Sequence, residues 1–256
     1  MKATLIAVLV GVLVVSALST GCISMSGRTT IEGSGVSATE TRTITEFTEI
    51  AIEGSGQAIV LFGEEPSIVV EADENLLEYI ETEVKGSTLH LRLRHPEKRV
   101  SFRTRSPLRY TITTPSISAF SIAGSGGVNC ADLETEDLTV DIAGSGTVVL
   151  DDMMCGAIVI NIAGSGDVRM SGVAETQSID IAGSGDVAAG DLRTEKTRID
   201  IAGSGDATVW ATERLRVSVA GSGDVRYYGS PSLAKSIDGV GKLRHLGDKG
   251  LGSGDA

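Results

Sequence analysis

A short glycine-rich motif recurs at nearly constant spacing and limits how this chain can fold. Ile-Ala-Gly-Ser-Gly-Asp-Val occupies residues 162–168 and 181–187, and close variants begin at positions 122, 142, 201 and 219. The first glycines of successive copies lie 18 to 20 residues apart. Such a period is typical of stacked-repeat proteins, whose units bury their apolar faces only against their neighbours. Because glycine permits positive φ and close backbone approach, we expect the motif to form a sharp corner in every rung.

Alignment of the copies on their first glycine produces three apolar columns. The first lies two residues before the glycine, and its members are Ile122, Ile142, Ile162, Ile181, Ile201 and Val219. The second lies four residues after it, and its members are Val128, Val148, Val168, Val187, Ala207 and Val225. The third lies nine residues after it, and its members are Leu133, Met153, Val173 and Leu192. These columns predict an all-β fold, a single-stranded β-helix or β-solenoid with ~20-residue rungs stacked ~4.8 Å apart.

The residues before the repeats are β-rich but less regular. Thr88–Leu93 alternates leucine with polar residues, as a half-buried strand does. Glu74–Val84 has apolar residues at helical spacing and Asp73 as a possible cap, so we expect at most one short helix. We divide the chain into a signal peptide (1–21), a polar spacer (22–43), a β-rich lobe (44–118), the solenoid (119–246) and a tail (247–256).

The N-terminus predicts export and attachment to a membrane. One lysine precedes an apolar run over residues 3–18, which is short for a membrane span of ~20 residues and fits a signal peptide. The following Ser-Thr-Gly-Cys resembles a lipoprotein signal, in which Cys22 becomes the lipid-modified first residue, although Ser19 stands where an aliphatic residue is usual. The alternative is an uncleaved N-terminal anchor. Either route predicts an extracytoplasmic, membrane-attached protein of the cell envelope.

Charge and motif content argue against nucleic-acid binding and catalysis. The formal charge of −12 disfavours a phosphate backbone as a partner. Basic residues do cluster at Arg92, Arg94, Lys98, Arg99, Arg103, Arg105 and Arg109. We interpret them as a solvated strand face paired with glutamates, with contact to an anionic polymer as the alternative.

His90, His95 and His245 show no nucleophile or metal spacing, and no cofactor motif is present. We therefore predict no enzyme, and a polysaccharide-active β-helix is a weaker alternative.

An aspartate column is the main candidate metal site. Asp167, Asp186, Asp206 and Asp224 each follow a Gly-Ser-Gly corner. Stacked carboxylates could bind calcium, a cation that prefers oxygen ligands. However, calcium-binding β-rolls use nine-residue units, whereas this unit is about twice as long. Asp side chains can also bond the backbone amides of turns. We favour a structural column without metal and keep a calcium-dependent binding module as the alternative.

Two aromatic residues form the candidate ligand surface. Trp210 and Tyr228 fall in the last rungs and could stack on sugar rings, but we favour the alternative in which Trp210 and Tyr227 close the end of the core. The two cysteines other than Cys22 could form a disulfide with each other. Cys130 shares a repeat position with Leu150 and Met170, so a small buried apolar role is favoured for it.

The order of motifs resembles that of a known family. The matching segments are Phe47-Thr-Glu-Ile50, Leu89–Leu93, Tyr110–Pro115, the Gly-Ser-Gly repeats and Asp224–Pro231. Together they are similar to the auto-transporter adhesin, head GIN domain family, over roughly residues 44–246. The resemblance implies a β-solenoid at the cell surface and no catalytic residues. We expect a non-enzymatic, lipid-anchored protein that serves adhesion, scaffolding or binding of a surface polysaccharide or protein.

Overall fold

The computed structural model describes residues 29–94 and 100–250, and these residues are mainly β-strand. The N-terminal strands are β1 (Thr29–Glu32), β2 (Ser37–Thr43), β3 (Glu49–Gly54), β4 (Gln57–Phe62), β5 (Ser67–Asp73), β6 (Ile80–Lys85), β7 (Thr88–Leu93), β8 (Val100–Arg103) and β9 (Arg109–Thr114). The later strands are β10 (Ala119–Gly124), β11 (Gly127–Ala131), β12 (Glu134–Gly144), β13 (Thr147–Gly164), β14 (Asp167–Gly183), β15 (Asp186–Gly203), β16 (Ala207–Gly221), β17 (Val225–Tyr228), β18 (Ser232–Gly239) and β19 (Leu243–His245). Cys22 lies outside the described residues.

The periodic half forms a β-solenoid of parallel strands, as the sequence predicts. Strands β13 to β15 each follow nearly a whole rung, and β12 and β16 follow most of one. Register pairs Ile142 with Ile162, and the next two rungs add Ile181 and Ile201 to the same column. All of these isoleucines are at least 97% buried. The column from Val128 to Val225 is also in register and at least 98% buried. Two of the three predicted apolar columns are therefore confirmed as continuous stripes of the core.

The glycine corners explain why the rungs can stack so closely. Gly164 has a φ of 131°, and an added Cβ would lie 2.4 Å from the carbonyl oxygen of Gly144 in the rung below. Gly166 faces inward, where an added Cβ would lie 2.5 Å from Cγ2 of Ile142. Both glycines of the motif are thus required, the first by backbone conformation and stacking and the second by core packing.

The third predicted column, which lies nine residues after the first glycine, is wrong at Val173. The ladder between β13 and β14 shifts register between Leu150 and Met153, so Met153 lies opposite Gly172. Gly172 in turn lies opposite Leu192, and the inward column passes through the glycine. Val173 therefore points outward and is 45% exposed. The cause is a β-bulge, which moves a following side chain to the other face of the sheet.

The N-terminal lobe continues the stack of the solenoid. Strand β3 pairs in parallel with β10, and β4 pairs in parallel with β11. On the other side, β3 pairs in parallel with β7, and β4 pairs in parallel with β9. Antiparallel pairing then adds β6 to β7, β5 to β9 and β2 to β5. Residues 29–32 and 37–43, which we assigned to a polar spacer, form β1 and β2. They join the fold because backbone pairing, rather than apolar content, holds them.

The predicted helix exists only as a short 3₁₀ segment. It spans Glu74–Tyr79, and the remainder of the expected helix is β6. Asp73 occupies the N-cap position but makes no capping hydrogen bond with its side chain. The carboxylate instead accepts backbone N–H groups from Gly35, Arg105 and Ser106. Across residues 29–94 and 100–250, the structure contains no helix of sufficient length and apolarity to cross a bilayer.

Candidate functional site

A column of outward-facing side chains, exposed at its start and half-buried at its aromatic end, follows the outside of the solenoid past the bulge. Its members, called here the outer column, are Met154, Val173, Arg193, Trp210 and Tyr228, each opposite the next across neighbouring strands. Met154 is 62% exposed, so the column begins as an apolar stripe and ends in two aromatic rings. The structure therefore brings the two predicted ligand-surface residues together. Sequence reasoning missed Met154 and placed Val173 in the core, because the bulge leaves no signal in the spacing of the glycines.

The C-terminal tail folds back over the aromatic end of the outer column. Nζ of Lys249 lies 4.5 Å from the ring centroid of Tyr228 and 5.7 Å from that of Trp210. The same ammonium donates to the carbonyl oxygen of Gly190 at 2.7 Å and pairs with Asp191 at 2.5 Å. A cation over two aromatic faces stabilises their position. The aromatic end is thus a partly covered platform with a fixed positive charge beside it.

The alternative role of closing the end of the core applies to Tyr227 but not to Trp210. Tyr227 packs against the core and stacks on His245 of β19, with ring centroids 4.8 Å apart. Trp210 does not share this position, since its neighbours Val209 and Ala211 are the inward residues of β16. The core-closing interpretation is confirmed for Tyr227 and wrong for Trp210.

The aspartate column is engaged in hydrogen bonds between rungs. Oδ1 of Asp186 accepts the backbone N–H of Asp206 at 2.8 Å, and Oδ1 of Asp206 accepts that of Asp224 at 2.8 Å. Asp224 repeats the contact with the N–H of Lys242, also at 2.8 Å. In earlier rungs the equivalent N–H, for example that of Asp167, donates to a glycine carbonyl instead. Three of the four candidate calcium ligands therefore replace a backbone acceptor at the corner.

Metal-binding geometry is not assembled at the corners. In the part of the chain that the structure describes, no three His, Cys, Asp or Glu side chains are grouped to hold a metal ion. Oδ2 of Asp206 also pairs with Arg226 at 3.3 Å, which neutralises one carboxylate of the column. These contacts support the structural interpretation of the column over the calcium interpretation.

Four of the predicted basic residues of the N-terminal lobe are ion-paired, as expected, whereas Arg94 is exposed and has no ion pair among the described residues. Arg92 pairs with Glu81 at 3.0 Å, and Arg109 pairs with Glu71 at 3.0 Å. Arg103 and Arg105 share Glu32. These pairs confirm a solvated, ion-paired face for those four arginines. Lys98 and Arg99 lie outside the described residues.

Both described cysteines are buried free thiols. Cys130 is 3% exposed and lies opposite Leu150, which confirms its small apolar role. Burial raises the pKa of Cys130 to about 12, and burial with the charge of Asp137 raises the pKa of Cys155 to about 11. Neither thiol is prepared for nucleophilic chemistry, which requires a lowered pKa and access to solvent.

Most of the chain matches the model of a known family. The model of the family described as "putative auto-transporter adhesin, head GIN domain" matches residues 46–231. The chain belongs to this family. The head GIN domain match runs from the N-terminal lobe into the last rungs and contains the outer column and the aspartate corners. It also covers most of the segments on which the sequence resemblance rests.

Solved structures support the same assignment. A protein from Bacteroides fragilis described as a putative adhesin is 27% identical, with a TM-score of 0.77 over 84% of this chain and 100% of its own. A protein from Parabacteroides distasonis described as a putative lipid binding protein is 25% identical, with a TM-score of 0.71 over 85% and 100%. A putative adhesin from Parabacteroides merdae, at 19% identity and a TM-score of 0.65 over 85% and 99%, shares the fold. No curated protein matches the sequence. The head GIN domain family therefore supports an adhesin-like, non-enzymatic protein of the cell surface.

Proposed function

We propose that this chain is a lipid-anchored adhesin-like protein that binds surface polysaccharide through the aromatic end of the outer column. The observation that carries the proposal is the register of Trp210 and Tyr228, which stand on the same outward face of adjacent strands. Aromatic rings present large apolar faces at little conformational cost, and the C–H faces of sugar rings stack on them. The nearby ammonium of Lys249 and carboxylate of Asp191 supply hydrogen-bonding groups for hydroxyls.

The solenoid suits this role because its surface is long and rigid. Strands β12 to β16 pair along nearly their full length, so the outer column is held by continuous ladders rather than by loops. Binding groups on such a scaffold lose little freedom when a ligand binds. Attachment through a lipid on Cys22 would keep this surface close to the membrane.

Calcium dependence is the weaker version of the proposal. The oxygen atoms of Asp186, Asp206 and Asp224 already accept backbone N–H groups. A calcium ion would have to compete with those contacts at the corner. We therefore expect glycan binding to be independent of calcium.

The binding proposal is tested on an array of neutral and charged glycans with the mature chain, with and without calcium. The Trp210→Ala/Tyr228→Ala variant should lose the neutral-glycan signal of the native protein. The Leu61→Ala/Phe62→Ala variant should retain it, because those side chains are exposed on β4. Melting temperatures of all three proteins control for folding. Equal binding by the native protein and the aromatic variant would refute the proposed site.

The anchoring proposal requires a separate measurement. Mass spectrometry of the mature N-terminus should find a diacylated or triacylated Cys22, and Cys22→Ser should move the protein from the membrane fraction to the soluble fraction. An unmodified peptide that runs through Cys22 would contradict the lipid anchor and favour an uncleaved N-terminal segment.

A further inference from the structure

A second exposed surface combines a groove with four clustered cations. The groove crosses β13, β14, β15, β16 and β18 on the outside of the solenoid and has a volume of about 610 Å³. Lys196 and Arg198 of β15 lie opposite Arg214 and Arg216 of β16, so the cations form a two-by-two block. Neighbouring strands are ~4.8 Å apart and alternate residues ~6.6 Å apart. The four positive charges are therefore adjacent in both directions.

The fold does not account for this basic block. Arg198 pairs with Asp200 at 2.7 Å. Among the described residues, Lys196, Arg214 and Arg216 have no carboxylate within ion-pair distance. Like charges placed opposite one another across strands destabilise a sheet. Arg103, Arg105 and Arg109 of the N-terminal lobe each pair with a glutamate, and the chain carries an excess of acidic residues. Four adjacent cations with a single carboxylate partner therefore point to an anionic ligand.

The remaining walls of the groove supply the other contacts that a sugar polymer needs. Ala157 and Val159 on β13 and Ala234 on β18 provide small apolar surface at its two ends. Thr176 and Ser178 of β14 lie opposite Lys196 and Arg198 on the same outward face and add hydroxyl groups to the groove.

We propose that this groove binds a linear polysaccharide that carries carboxylate groups. The five strands give it a length of ~19 Å across the strands, which fits an extended chain better than a compact molecule. The guanidinium groups of Arg214 and Arg216 can each bind a carboxylate with two parallel hydrogen bonds. The small apolar side chains accept the C–H faces of the sugar rings, and the hydroxyl groups of Thr176 and Ser178 can form hydrogen bonds with those of the sugar.

Two other polyanions fit the surface less well. Nucleic acid carries a phosphate charge every ~1.7 Å of duplex, and a protein of formal charge −12 repels such a density at long range. A membrane of anionic lipids is flat and contacts protruding cations, so it would make no use of a groove with an apolar lining. A carboxylated glycan uses both the charge and the shape.

The experiment measures binding of the mature chain to polygalacturonate, to neutral dextran and to phosphatidylglycerol vesicles. We expect the native protein to bind polygalacturonate in preference to dextran and vesicles, with an affinity that falls as salt is added. Lys196→Gln/Arg214→Gln/Arg216→Gln should bind polygalacturonate about 10-fold more weakly, since each exposed charge contact contributes modestly. Circular dichroism and melting temperature verify its fold, and the single Arg214→Gln variant replaces it if the triple variant does not fold.

A second triple variant separates the groove from total charge. Arg103→Gln/Arg105→Gln/Arg109→Gln has the same formal charge as the groove variant but removes ion-paired arginines of the N-terminal lobe. It should retain native affinity. Equal loss in both variants, a loss of dextran binding in the groove variant equal to its loss of polygalacturonate binding, no binding of polygalacturonate, or binding to vesicles alone would each overturn the proposal. The Trp210→Ala/Tyr228→Ala variant should still bind polygalacturonate, so this site and the outer column can fail independently.

Discussion

The side chain of Asp206 accepts the backbone N–H of Asp224 at 2.8 Å, from one rung to the next. The same contact joins Asp186 to Asp206 and Asp224 to Lys242. The aspartates of the repeat therefore act as backbone acceptors at the corners of the last rungs. This role explains why a carboxylate recurs there without grouping into a metal site within the described residues.

Removal of one such carboxylate should weaken the solenoid modestly and leave calcium without effect. We expect Asp206→Ala to lower the free energy of unfolding by about 1 kcal/mol, because the N–H of Asp224 loses its acceptor at a half-buried corner. Urea denaturation with and without calcium measures both effects. Asp167→Ala is the matched control, since its exposed carboxylate accepts no such bond and its loss should cost less than about 0.5 kcal/mol. A calcium-induced rise in melting temperature that Asp206→Ala abolishes would contradict the structural role.

The corner glycines permit a test that separates conformation from stacking. Gly164→Ala should cost about 3 kcal/mol, because its Cβ would meet the carbonyl of Gly144 and because its φ is positive. Gly54 occupies the equivalent corner in β3 with a φ of 100°, but no atom lies within 4 Å of an added Cβ. Gly54→Ala should therefore cost only about 1 kcal/mol. Thermal and urea unfolding give both values, and equal losses would show that close stacking adds nothing.

Spacing in the sequence predicts the parts of the fold that repeat. The isoleucine column through Ile162 and the corner at Gly164 follow from the period alone, because equivalent residues occupy equivalent positions in every rung and pack in the same way. The irregular parts could not be predicted. Val173 lies outside because a bulge precedes it, and a bulge depends on the pairing of two strands rather than on either sequence.

The candidate sites show the same division. Trp210 and Tyr228 occupy equivalent repeat positions, so sequence could place them on one surface, but it could not foresee that Lys249 of the tail would cover them. The basic block was predictable in principle, since Lys196 and Arg214 each precede the next corner glycine by seven residues. Alignment of the polar positions as well as the apolar ones would have found it.

The buried thiols should be inert in the native protein. Burial raises the pKa of Cys130 to about 12, and the thiolate is the reactive form. In a Cys22→Ser background, we expect both remaining thiols to react with a disulfide reagent at pH 8 at least about 100-fold more slowly than the exposed thiol of an added Ser165→Cys. Both should react fully in denaturant. Failure to titrate them there would contradict two free thiols and indicate a disulfide.

Asp73 should make the fold sensitive to acid. Burial alone would raise its pKa, but the N–H groups of Arg105, Ser106 and Gly35 more than offset burial and hold the pKa below its usual value. The stabilisation is therefore complete above the unfolded pKa of about 3.9 and is lost as pH falls through the lower folded value. Asp73→Asn should cost about 2 kcal/mol at pH 7, and its difference from the native protein should shrink in more acidic solution.

Urea denaturation from pH 7 down to pH 3 measures this difference. Glu32→Gln is the control, because Glu32 pairs with Arg103 and Arg105 at the surface and should contribute less than about 1 kcal/mol. The close approach of Asp73 to Gly33 offers a second test, since an added Cβ there would lie 2.2 Å from Oδ2 of Asp73. Gly33→Ala should displace the carboxylate and reproduce part of the Asp73→Asn loss. A loss for Asp73→Asn that stays constant between pH 7 and pH 3 would show that packing, rather than the charge of Asp73, holds these loops together.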